Sequence, residues 1–377
     1  MALTGWPFMA VLGAISVLGL VVVGFAWTRW PGRWIAFAGR LTSLLLVMAM
    51  GGVLTLAQVN RTFGFYRSLS DLLGRPSSAH SLAVLARPRN GPGVEVMTAD
   101  WAARGRAHAA RGHGIMLDVL YPGIRSGLSH HGLLYLPAAY FTGNTHRRFA
   151  AIEVFHGYPG SPPTYLGLLD IQARLETEIA AGRVPPVAMA IPQVYAGGRS
   201  SECVNAVHGA QWETYLAVDV FDDVVASFRV QPGRTWATLG VSTGGFCAVN
   251  LALHHPERYA AAASLSGYFN AGEDPGTARL YQGAKFARRE NSPLWWVRYR
   301  RPVAPALYIS ASGGDPGAMR EARAINAALH RYARALPTTT RLVPTGGHNW
   351  GVWSDAFAPA LDWLTQYLPA PLVPPIT

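Results

Sequence analysis

The chain has 377 residues, is half hydrophobic, and carries a formal net charge of +11 that rests almost wholly on arginine, Lys285 being its one lysine. No zinc-finger spacing, aromatic RNA-binding signature or dense basic block accompanies that charge, so nucleic acid is not an expected partner. The two cysteines, Cys203 and Cys247, are too few for a zinc site of their own; they are two free thiols or one disulfide, as the compartment dictates.

Residues 7–27, PFMAVLGAISVLGLVVVGFAW, contain no charge and are about one bilayer long. Residues 41–59 nearly repeat the pattern. Between the two runs lie Arg29, Arg33 and Arg40 with no acid, and Trp27, Trp30 and Trp34 stand where an interfacial aromatic belt would be. Residues 1–60 therefore read as a membrane hairpin of two transmembrane helices. A signal peptide fits less well, because no basic residue precedes the first run and no small-x-small site closes it. The short basic loop should stay cytoplasmic, which leaves the amino terminus and the large carboxy-terminal region outside. Arg61, Arg67 and Arg75 compete with the loop on a simple count, but long domains are exported largely regardless of charge. Residues 61–112 read as a juxtamembrane segment and linker. Within it, Phe63, Phe65, Tyr66, Leu69, Leu72 and Leu73 suggest an amphipathic stretch on the membrane surface or, equally, a helix packed on the domain. Residues 75–112 show no sustained period and have room for one short helix.

From residue 113 to 370 the pattern changes. GIMLDVLYP and HGLLYLPAAYF read as strands, followed by RFAAIEVFHG, PPVAMAIPQV, RTWATLGVS, YAAAASLSG, PALYISASGG and TTTRLVPTGG. The middle four are nearly continuous apolar runs, as in strands buried on both faces of a mostly parallel sheet. Helical stretches at 163–181, 212–228, 243–255, 317–335 and 350–367 separate them. This alternation predicts an α/β class with right-handed crossovers, and the first two strands should add an antiparallel edge. Residues 371–377 are left as a tail.

The stretch TWATLGVSTGGFCAVNLALHHP, 235–256, carries the chemistry. An apolar strand climbs to Ser242, boxed by Gly240 and Gly244, and a helix follows. G-x-S-x-G between strand and helix is the pattern of a strained elbow that lifts a serine hydroxyl out of the sheet and aims a helix amino terminus at it. A serine needs a base. His348 in PTGGHNW follows the last strand. Asp315, in the loop after the penultimate strand, is the favoured acid; its other reading is an amino-cap before Pro316. His254 and His255 are expected to be exposed at the end of the nucleophile helix. Asp219, Asp222 and Asp223 read as one solvated helix face. The backbone N–H groups of Thr243 and of Tyr158, in HGYPGSP, are the expected oxyanion donors. The long stretch 268–305, with Trp295, Trp296 and many arginines, is either a lid for an acyl chain and an anionic head group or a helix packed on the sheet.

QWETYL (211–216), HPERYAAAASLSG (255–267) and GGHNW (346–350) together resemble the bacterial esterase family that includes esterase D, the enterochelin esterases and the secreted mycolyltransferases. The likeness covers roughly residues 113–370. It implies an α/β-hydrolase fold and a Ser-acid-His mechanism on Ser242, Asp315 and His348. The mycolyltransferases use a glutamate as the acid, which makes Glu321 the alternative. The elbow reads G-V-S-T-G-G where they have G-x-S-M-A-G, and H-G-Y-P-G is closer to the general esterases than their D-G-x-R. The resemblance also implies an exported domain, and an oxidising compartment favours a Cys203–Cys247 disulfide. The expectation is a membrane-anchored, exported serine esterase or acyltransferase acting on an acyl ester, its substrate a lipid or glycolipid. No metal or cofactor is implied. Mycolyltransferase-like transfer to an envelope sugar or lipid is one alternative, and a non-catalytic envelope scaffold with a hydrolase fold is another.

Overall fold

A computed structural model describes residues 6–27, 29, 31–63 and 93–373. The chain divides into two compact units, Met1–Ala86 and Arg87–Thr377.

The first unit contains helices α1 (Trp6–Ala26) and α2 (Arg33–Phe63), which pack on each other. Both are long and apolar enough to cross a membrane, over Phe8–Phe25 and Arg33–Val59. Helix α2 begins earlier than the expected span. RWIAFAGR, read as loop, holds no proline, so the helix runs through it from Arg33. The proposed amphipathic stretch lies outside the described residues from Gly64 onward.

The second unit is built on a nine-stranded sheet: β1 (Glu95–Val96), β2 (Ile115–Pro122), β3 (Ser129–Leu136), β4 (Ala151–Phe155), β5 (Ala188–Ile191), β6 (Trp236–Val241), β7 (Tyr259–Leu265), β8 (Ala306–Ser312) and β9 (Thr338–Val343). Its order is β1-β2-β3-β5-β4-β6-β7-β8-β9; β5, β4 and β6 to β9 run parallel, while β1, β2 and β3 form the antiparallel edge. Every residue of β4 to β8 is buried, which is why those strands read as unbroken apolar runs. Alternate side chains feed two cores: Phe155, Trp236, Leu307 and Ile309 on one face, Ile152, Leu239, Leu265 and Tyr308 on the other.

Helices close both faces. The first core is covered by α5 (Phe221–Ser227), α6 (Thr243–His254) and α9 (Pro316–Tyr332), the second by α4 (Ile171–Ala180) and α10 (Trp350–Thr365). Strand order reverses at β4: the chain moves to β5 on one side and then to β6 on the other. Such a reversal opens a crevice at the carboxyl ends of the two strands, where the segments after Phe155 and Val241 meet.

Four sequence readings are corrected by the packing. Residues 93–112 are integrated into the domain. Strand β1 extends the sheet, the Gly93 amide donates to Asp223 Oδ1 at 2.7 Å, and α3 (Trp101–Ala109) sets Trp101 edge-on against Phe141 and Phe228. Asp219 and Asp223 are buried (5 % and 1 % exposed); Asp219 accepts the Arg125 and Ser126 amides, and Asp222 pairs with Arg125 and Arg258. Loop amides need acceptors, and these carboxylates supply them. His254 and His255 are not exposed; both ring systems converge on the half-buried Glu213 carboxylate, at 3.0 and 3.1 Å. At the carboxyl end, Leu372 pairs with Arg148, so part of the expected tail belongs to the domain.

Candidate active site

The elbow after β6 is closely packed against its neighbours. Ser242 adopts φ 55°, ψ −123°, a strained conformation for a non-glycine residue. Its amide donates to the Leu265 carbonyl at 2.9 Å, which holds the turn against the neighbouring strand. The flanking glycines are steric necessities. A Cβ on Gly240 would lie 2.0 Å from the Gly244 carbonyl oxygen, and one on Gly244 would lie 1.9 Å from that of Phe155.

The Ser242 hydroxyl lies 2.8 Å from His348 Nε2, and His348 Nδ1 lies 2.5 Å from Asp315 Oδ2. Three loops contribute these groups, after β6, β9 and β8. Asp315 serves two partners at once: Oδ1 accepts the Ala318 amide and caps α9, while Oδ2 faces the imidazole. Its cap and its contact with histidine are therefore one arrangement. Asn349 caps α10 directly after His348, and the imidazole rests edge-on against Trp353, with centroids 5.0 Å apart. Glu321 points elsewhere. Its carboxylate accepts the Phe269 amide at 2.9 Å and the Asn270 side chain at 3.0 Å.

Tyr158 and Thr243, the expected oxyanion residues, both line one cleft of about 550 Å³, together with Ser200, Glu202, Tyr268, Asn270 and residues 272–277. The Tyr158 hydroxyl is tied to the Gly198 carbonyl at 2.6 Å. Behind the loop, His156 is fully buried and burial lowers its pKa to about 4, so the ring is neutral at physiological pH. Its Nε2 accepts the Val194 amide and Nδ1 donates to the Gly157 carbonyl. That bracing histidine was legible only as part of an H-G motif.

Glu202 was not foreseen. It is 3 % exposed, its pKa is pushed up to about 7 by burial, and it accepts from the Tyr268 and Tyr281 hydroxyls. Cys203, the next residue, is bonded to Cys247 on α6, five residues after Ser242. Glu202 and Cys203 both have positive φ (47° and 54°), which no propensity in SSECVN announces.

The 268–305 stretch divides in two. Tyr268, Asn270 and residues 272–277 line the cleft. The remainder forms α7 (Lys285–Glu290) and α8 (Pro293–Tyr299), with α8 packed on α6 and α9 through buried Leu294 and Val297.

The fold and this Ser–His–Asp arrangement define the class: an α/β hydrolase of the serine-hydrolase type. The Esterase family matches residues 127–364, and the chain belongs to that family. It is similar to an uncharacterised protein of Corynebacterium glutamicum, 25 % identical over 244 residues, covering 62 % of this chain and 56 % of that protein. It is also similar to the MPT51 antigen of Mycobacterium leprae, 36 % identical over 196 residues, covering 43 % and 63 %. The chain thus spans roughly three fifths of the length of these curated relatives. Among solved structures, a ferulic acid esterase aligns with a TM-score of 0.60 at 18 % identity, over 68 % of this chain and 99 % of that one. An S-formylglutathione hydrolase from Agrobacterium tumefaciens aligns at 0.59 and 13 % identity, over 68 % and 97 %. At such identities the shared property is the fold.

Proposed function

We propose that the chain is a membrane-anchored serine esterase or acyltransferase whose catalytic domain, residues 113–370 with β1 and α3 added, faces the cell exterior. The observation that carries the catalytic reading is the continuous Ser242–His348–Asp315 hydrogen-bond line at 2.8 and 2.5 Å.

In this reading His348 Nε2 takes the Ser242 proton as the hydroxyl oxygen attacks an ester carbonyl. The carbonyl oxygen gains the negative charge and is held by the Tyr158 and Thr243 amides. The imidazolium is stabilised by Asp315. The tetrahedral adduct collapses, the C–O bond to the leaving alcohol breaks, and His348 returns the proton to that alcohol. An acyl group is left on Ser242. Water or an acceptor hydroxyl, deprotonated by His348, then repeats the sequence and frees the serine. Transfer to an envelope sugar or lipid uses the same steps with a different acceptor. The hydroxyls of Ser200, Tyr268 and Thr277, the Glu202 carboxyl and the Asn270 amide in the cleft suit such an acceptor.

The membrane part rests on α1 and α2. Their large apolar side chains are turned outward, with Val17 62 % and Met48 72 % exposed, which water would penalise and lipid would not. The arginine-bearing turn between them supports a cytoplasmic loop. A disulfide supports the exported side for the domain.

The test is hydrolysis of a p-nitrophenyl ester by the full chain and by Ser242→Ala, with a fluorophosphonate probe as a second readout. Turnover and labelling should both vanish in the variant. A folded wild-type chain that does neither would leave the scaffold reading. Mass spectrometry of lipid extracts from cells carrying either form would then report acyl donor and acceptor.

A further inference from the structure

We propose that the face formed by α7, α8 and the residues up to Val303 docks on an anionic lipid surface. The inference builds on the membrane reading above and adds a second point of contact, on the catalytic domain itself.

Helix α8 buries Leu294 and Val297 inward, and the two helices turn a different set outward. Phe286 is 63 % exposed, Tyr299 69 % and Val303 71 %. Phe286, Trp295 and Tyr299 form one strip, with ring centroids 6.4 and 5.3 Å apart along it. Bulky rings left outward in a contiguous strip mark a contact surface more often than a solvated one.

The charge around the strip is one-sided. Lys285, Arg288, Arg289, Arg298, Arg300 and Arg301 are all exposed, against a single acid, Glu290, which is itself paired with Arg300 at 2.6 Å. The Arg300 guanidinium lies 5.6 Å from the Trp295 ring and 5.7 Å from that of Trp296, so cation and ring share one side of α8. A solvated surface interleaves signs; this one gathers cations around aromatic rings. Rings with polar edges settle at headgroup depth, and basic side chains beside them gain from anionic lipid phosphates. Charge complementarity therefore selects an anionic bilayer surface as the occupant. The cleft-lining segment 272–277 lies in the same connection between β7 and β8, so docking would hold the cleft wall and the lipid close in sequence.

The native cysteines are joined to each other, so one added cysteine carries a nitroxide alone. Val303→Cys, and Ile124→Cys on the β2–β3 turn as control, are labelled in the full chain. Each is placed in discs of phosphatidylcholine, or of phosphatidylcholine mixed with phosphatidylglycerol. The label at 303 should lose accessibility to a water-soluble relaxation agent in the anionic discs, and the label at 124 should not. Changing Arg289, Arg298 and Arg301 to Glu should return the label at 303 to water without altering the near-ultraviolet circular dichroism. A label at 303 equally exposed in both discs overturns the proposal. Protection that follows protein concentration instead of lipid charge assigns the strip to a second copy and also overturns it. Entry into the disc reports α1 and α2 separately. If the chain does not enter, the same labels are read with vesicles of the two compositions, and loss of accessibility only on anionic vesicles still supports the docking face.

Discussion

Asp315 caps α9 and Glu321 stands within it, six residues on, and only Asp315 reaches His348. Its Oδ2 lies 2.5 Å from the imidazole while the Glu321 carboxylate holds the Phe269 amide. Asp315→Asn should therefore lower kcat by roughly 10⁴-fold, because the amide no longer fixes the imidazole tautomer or stabilises its charged form. Glu321→Gln should change kcat by less than about threefold and cost about 1 kcal/mol of stability. Steady-state kinetics on both variants with one ester decide between the two acids.

The elbow leaves no room for a methyl group. Gly244→Ala places a Cβ against the Phe155 carbonyl and should destabilise the domain by about 3 kcal/mol or more, since the clash is with backbone. Chemical denaturation monitored by tryptophan fluorescence would show the shift in midpoint. Gly167→Ala, where a Cβ meets nothing within 4 Å, serves as the neutral comparison.

The Cys203–Cys247 bond closes a separation of 44 residues. Replacing both cysteines by serine should cost about 4 kcal/mol, and roughly 5–10 °C in Tm. Calorimetry with and without a reductant checks this. Because both cysteines are fully buried, reductant should act slowly on the native chain.

Glu153 lies at 0 % exposure on β4, its Oε2 accepting the Tyr259 hydroxyl at 2.7 Å and its Oε1 unpartnered. Burial pushes its pKa up to about 8. The folded carboxyl is neutral where the unfolded one is charged, so its contribution is fully present below about pH 4.5 and is lost as pH rises through about 8. Asp223 is raised to about 7, mainly by burial, and acts in the same direction. Stability should fall by a few kcal/mol between pH 5 and 9 on this account. Glu153→Gln should flatten that slope, as urea titrations at several pH values would show.

Much of this domain is legible in its sequence. Strand runs such as ALYISAS are apolar because both faces are covered, and period alone finds them. Ser242, His348 and Asp315 stand out in the sequence because each follows a strand and has a recognisable neighbourhood (boxed glycines, a glycine-rich loop, a loop ending in proline), and the fold brings their side chains together. What escaped is what depends on distant partners. Asp219 and Asp223 have the helical spacing of a wet face, and only the loops at 93 and 125 make them acceptors. Glu213 gathers two histidines across a helix end. Glu202 sits in a polar, featureless stretch, and its burial follows from Tyr268 and Tyr281, more than sixty residues away in sequence. Local pattern reports local packing; long-range satisfaction of polar groups has no local signature.

The mooring of residues 93–96 has a mechanical consequence. The amides of Gly93 and Val94 are clasped by Asp223 and Ser227, and the short β1 pairing with β2 follows directly. Strand β1 is one border of the sheet and β9, which leads to His348, is the other. A pull applied at residue 93 should therefore peel the sheet from the border remote from His348, leaving the Ser242–His348 hydrogen bond in place.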